Sequence, residues 1–242
     1  MNSIVALLAA GRRLPAVAAL ALLLAACAPT RVETNYSAVS GAMARPQIIV
    51  VQDFAIPGGG ATLDQGLRAR LERTFESGER AAAESTSKAL EAADALAASI
   101  VEQLSAVGLP ATRSASATQP AGGTMLIVAG QLVSLDEGNR TRRNLIGFGA
   151  GHSDVTAEVQ LYLVQDGGAP RLIESFAADA QSSRKPGVAA TGGVGAATGR
   201  IAESAAVGIG SSALSNGSAE GDAERMGKEI AKKIAAHFPA PR

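Results

Sequence analysis

Cysteine occurs once in this 242-residue chain, tryptophan never and histidine twice, while Lys and Arg balance Asp and Glu at 22 each. Each scarcity excludes something. A single cysteine permits no disulfide framework. The two histidines, His152 and His237, have no Ser/Asp or metal-ligand spacing around them, so neither a hydrolytic triad nor a zinc site is expected, and no cofactor is implied. No Gly-Lys-Ser/Thr occurs anywhere, which removes the commonest nucleotide cradle. A chain near neutrality carries no electrostatic footprint for nucleic acid.

Long apolar runs are also missing. The longest begins after Arg12 and Arg13 and extends from Leu14 to Ala26, too short for a finished transmembrane helix but shaped like the basic and apolar regions of a secretory signal. It ends in Leu24-Ala25-Ala26-Cys27, which resembles the lipobox of bacterial lipoproteins. That resemblance implies cleavage before Cys27, diacylglycerol on its thiol and an acylated amine. At about 0.8 kcal/mol per buried CH₂, more than one acyl chain makes a stable anchor. Removal of residues 1–26 takes away two of the 22 basic residues and none of the 22 acidic ones, leaving a net charge of −2. Ala28 stands where inner-membrane lipoproteins usually carry aspartate, so the resemblance implies the outer membrane, with the protein facing the periplasm.

Beyond the signal, residues 27–45 are mixed and polar without clear periodicity and are expected to form a tether. Residues 46–242 are expected to form one domain. Ile48 to Val51 is a short β-branched run that reads as a buried strand, closed by Pro57 to Gly60. Leu63, Leu67, Leu71 and Phe75 recur every four residues, as in a short amphipathic helix or an ordered loop. A longer helix is expected from about Arg80 to Val107, with Leu90, Ala93, Ala97, Ile100, Val101, Leu104 and Val107 as its apolar stripe and Gly108 and Pro110 as its stop. Strands follow at about Met125 to Leu135, through Val155, Ala157, Val159, Leu161 and Leu163 with their strict alternation, and near Leu172 to Ala178. Asp222 is a candidate cap for a closing helix with Met226, Ile230, Ile234 and Phe238 on one face.

The predicted fold is α/β in the α+β sense: a mixed or mostly antiparallel sheet of four to five strands, order β-α-β-β-β-α, with helices packed on it. A Gly/Ala-rich insert spans residues 186–221. Arg200 and Glu203 divide it into pieces too short to cross a bilayer, and it reads either as a periplasmic loop or as a segment ordered by a membrane or partner.

The least ordinary stretch is residues 138–155, "GNRTRRNLIGFGAGHSDV". Gly147, Gly149 and Gly151 precede a strand, whereas a phosphate loop requires glycines after a strand and before a helix. They read as a strand connection. Arg140, Arg142 and Arg143, next to an apolar turn containing Phe148, are candidates for lipid phosphate or an acidic partner, or else belong to a solvated loop beside Asp136 and Glu137. Asp53, at the end of the first strand, reads as a turn or capping group or as part of a ligand site. Ser85 and Lys88 match Ser-x-x-Lys, but no Lys-Thr-Gly strand completes such a site.

The stretches "VVQDF" at Val50 to Phe54, "GLPATR" at Gly108 to Arg113, "VAGQLVSLDEGNRTRRNLIGFGAG" at Val128 to Gly151 and the closing "DAERMGKEIAKKIAAHF" resemble bacterial lipoproteins of domain-of-unknown-function family 4410. The family brings no established activity. More distantly, the strand, helix and strands plan resembles α/β envelope domains such as the amino-terminal domain of the Tol translocation protein, peptidoglycan-synthase activator lipoproteins and the curli secretion channel. Together these imply a non-catalytic envelope protein, anchored to the membrane by its lipid and acting on a protein partner. The alternatives are a self-assembling pore or secretion accessory, and then a hydrolase. Oligomeric state is left open by the sequence.

Overall fold

A computed structural model describes residues 30–56, 58, 60–63, 78–114, 123–138, 152–182 and 218–239. Six strands and two helices occur among them: β1 Thr30–Ser37, β2 Ile48–Val51, α1 Gly78–Ala106, β3 Ala111–Arg113, β4 Thr124–Asp136, β5 Asp154–Gln165, β6 Arg171–Gln181 and α2 Ala219–Ala235. The strands form one mixed sheet in the order β1-β6-β5-β4-β2-β3. The β1–β6, β6–β5 and β5–β4 pairs are antiparallel, and β2 runs parallel to both β4 and β3.

The alternation in β5 sets the register. Val155, Ala157, Val159, Leu161 and Leu163 are all buried, facing the helices, while Glu158 and Gln160 point away and are exposed. A slip of one residue would reverse every one of them. The β4 positions Leu126, Val128 and Leu132 and the β2 positions Ile49 and Val51 join the same core, together with Met226, Ile230 and Ile234 of α2. On the opposite face, Val50, Met125, Ile127 and Val164 make a second, smaller apolar cluster.

Two strands were not legible in the pattern. β1 lies inside the segment expected as a tether, pairing Thr30 with Ala180 and Ser37 with Glu174. It is an edge strand, largely exposed, with Val32 partly buried, so its polar sequence has no apolar alternation to display. β3 has three residues, too few for a period. The expected tether also contributes a cap: the Arg45 guanidinium donates to the Gly108 carbonyl (3.1 Å) at the end of α1, where Gly108 has φ +75°.

The α1 stripe is broader and rotated from the one expected. Ala89, Ala92, Ala93, Leu96, Ala97, Ile100 and Leu104 are buried, whereas Leu90 and Val107 are 54% and 57% exposed. The helix touches the sheet on one side and α2 on another. The two helices approach closely at Gly227, where a Cβ would lie 2.7 Å from the Ser99 Cβ and 2.9 Å from the Leu96 carbonyl oxygen. The Ser99 hydroxyl donates across this contact to the Glu224 carbonyl at 2.8 Å.

Candidate functional site

The β4–β5 connection was the stretch singled out by sequence, and the structure describes its two flanks. Cys27, Arg140, Arg142, Arg143, Gly147, Phe148, Gly149 and Gly151 lie outside the described residues, as do Leu67, Leu71, Phe75 and residues 183–217 of the insert and its approach. The flanks place Asp136 opposite Asp154 in the β4–β5 register. Gly60, Thr62, Val133, Ser134, Leu135, His152 and these two carboxylates line an open cleft of about 550 Å³. Its floor is built from backbone pairing: Thr62 N–H donates to Leu135 O (2.7 Å) and Glu137 N–H to Thr62 O (2.9 Å). Asp136 caps the turn by accepting from Gly138 N–H at 2.7 Å.

Burial raises the Asp154 carboxyl above its ordinary value, and the nearby Asp179 and Asp136 carboxylates push it further, against opposing contributions from His152 and the Val155 N–H. Its Oδ1 is buried without a hydrogen-bond partner. Like charges directly across a strand pair destabilise it. The cleft offers carboxylate and hydroxyl acceptors and one imidazole, a surface suited to amide, hydroxyl or cationic groups.

Behind the cleft, the start of α2 is pinned by a buried charge. Asp222, expected as the cap, is instead fully buried and accepts from the Ser153 hydroxyl and the Arg225 guanidinium. Arg225 also donates to Gln181 O at 2.6 Å, and Ser153 N–H to the Ser182 hydroxyl at 3.0 Å. The cap is Ser218, whose hydroxyl accepts from Gly221 N–H (3.2 Å), and the helix begins at Ala219, within the expected insert. Ser218 and Asp222 are four residues apart in the same helix start, and only tertiary packing distinguishes their roles.

Asp53 meets Arg113, whose guanidinium spans Asp53 and Asp94 at 2.5 Å each. The two carboxylates, Asp94 foremost, hold that guanidinium more firmly in its charged form. Arg113 was missed as a candidate, although it ends the "GLPATR" stretch. The Nε2 of His237, just beyond α2, lies 2.7 Å from Glu174, a strand carboxylate only 3% exposed, which also pairs with Lys233 at 3.0 Å. Lys233 further donates to Thr34 of β1 (2.7 Å), so one lysine ties α2 both to β6 and to the edge strand of the sheet. Ser85 donates to the Ala61 carbonyl (2.6 Å) and Lys88 pairs with Glu91 (2.8 Å), so the two are directed to different partners.

Among the described residues no group of three or more His, Cys, Asp or Glu could hold a metal ion, and no helix is long and apolar enough to cross a membrane. A comparison with curated proteins returns no match. Among solved structures, the PelC dodecamer from Paraburkholderia phytofirmans is similar at 10% identity and a TM-score of 0.34, with 89% of this chain and 100% of that chain covered. So slight a likeness says nothing about assembly or activity here. The family described as "Domain of unknown function (DUF4410)" matches residues 49–199. That span includes Asp53, Phe54, Gly130 and Arg113, which the fold brings together in two contacts, Phe54 on Gly130 and Arg113 on Asp53. The chain belongs to the DUF4410 family.

Proposed function

We propose that this protein is an outer-membrane lipoprotein, held by lipid on Cys27 and facing the periplasm, that acts without catalysis through a protein partner in the cell envelope. The observation that carries the reading is Leu24-Ala25-Ala26-Cys27 at the end of a basic and apolar leader, with Cys27 the only cysteine of the chain. Anchoring confines the domain to a surface and raises its effective concentration for a partner there. The engagement of Ser85 by Ala61 and of Lys88 by Glu91 supports a binding role over serine hydrolysis.

The test is expression of the full chain with Cys27 intact or replaced by Ala, followed by palmitate labelling, membrane fractionation and native mass in mild detergent. The reading expects label and outer-membrane retention only with Cys27, and a co-purifying envelope protein that depends on them. Unlabelled protein in the soluble fraction in both cases overturns it.

A further inference from the structure

We infer that the end of the sheet carrying the start of β1, the end of β4, the start of β5 and the end of β6 lies against the phospholipid headgroups, with the β5–β6 turn pointing away. This rests on the lipid-anchor reading above. It follows from chain length and register.

Only residues 28 and 29 separate Cys27 from β1, which begins at Thr30. Three residue steps reach at most about 11 Å. The expected 19-residue tether would have let the domain tumble, whereas this link holds one end of it within about two strand spacings of the acylated residue. Which end is fixed by pairing: Thr30 opposes Ala180, Gln181 opposes Asp154, and Asp154 opposes Asp136. The far end, with Gln165 opposite Thr124, lies roughly 40 Å away along the 13 residues of β4.

The connections between Gly138 and His152 and between Ser182 and Ser218 leave and return at the anchored end, where Ser182 N–H donates to Ser153 O (3.1 Å). Both helices also start there: Ser85 of α1 bonds to Ala61 beside the β4 end, and Asp222 of α2 bonds to Ser153. Their positive dipole ends point the same way.

The test uses the full lipidated protein, extracted from membranes and reconstituted in phosphatidylethanolamine–phosphatidylglycerol vesicles carrying a headgroup quencher. A fluorophore is placed on one introduced cysteine at a time: His152→Cys or Glu220→Cys at the anchored end, Gln165→Cys or Ala169→Cys at the other. All four positions are exposed. Quenching several-fold stronger at 152 and 220 than at 165 and 169 is expected. A flexible 12-residue insertion after Ala28 should abolish that contrast while leaving the protein in the membrane. Equal or reversed quenching in protein that carries lipid on Cys27 overturns the orientation and leaves the anchor reading intact. Absence of lipid on Cys27 overturns both.

Discussion

The hydroxyl of Ser153 donates to the carboxylate of Asp222 across 69 positions of sequence, and both residues are fully buried. This bond, with Arg225 on the other carboxylate oxygen, fastens the first turn of α2 to the start of β5. A buried carboxylate is tolerated only when its lone pairs are met.

Replacing Arg225 with Met leaves that carboxylate buried without its cation and should cost about 3–5 kcal/mol. Ser153→Ala, which removes one neutral donor, should cost about 1–3 kcal/mol. Chemical denaturation of both variants and of the double variant checks this. The double should lose less than the sum, because the two groups serve one acceptor.

Gly227→Ala places a methyl group against Ser99 and the Leu96 carbonyl, and Gly130→Ala places one 2.5 Å from both the Glu158 carbonyl oxygen and the Phe54 ring. Each should lower stability by about 1–3 kcal/mol through overpacking. Pairing Gly130→Ala with Phe54→Leu should restore part of the loss at that site and none at Gly227, which thermal unfolding of the four proteins would read.

Asp154 has a folded-state pKa raised by burial and by Asp179 and Asp136. The folded protein therefore binds this proton more tightly than the unfolded chain, and stability from this group declines as pH rises through the two values. Asp154→Asn should stabilise the protein at pH 7 by on the order of 0.5 kcal/mol after solvent screening, read as a higher melting temperature, with the gain vanishing below about pH 4. A gain that persists unchanged in acid would mean that charge is not its source.

Arg113 and its two carboxylates are partly exposed, at 35% for the arginine side chain and 59% and 65% for Asp53 and Asp94. Double-mutant cycles of Arg113→Met with Asp53→Asn and with Asp94→Asn should each give a coupling of about 0.2–1 kcal/mol that shrinks in high salt. Because Arg113 ends β3 and Asp94 lies in α1, the triple contact orients the outer edge of the sheet against the helix.

The elements read from the sequence are those whose burial is periodic. The two-residue alternation of β5, the small-residue helix ended by Gly108, and Met226, Ile230 and Ile234 of α2 each bury one face, and these elements lie where expected, although Phe238 is buried just beyond α2 and the α1 stripe leaves Leu90 and Val107 exposed. Family membership was likewise legible, in the stretches around Asp53, Arg113 and Gly130. What sequence could not rank were interactions between residues far apart in the chain. Thr30–Ser37 becomes a strand because β6 offers it an unpaired edge, not because its own residues demand it. Asp222 and Ser218 are both good capping residues, and Asp222 is drawn inward because Ser153 and Arg225 meet it there, leaving the cap to Ser218. His237 and Glu174 are 63 residues apart and pair because α2 lies across β6. Local pattern determined which segments are helix and strand. The tertiary structure decided which polar groups are partners, because a buried charge is satisfied by whatever donor the packing brings to it.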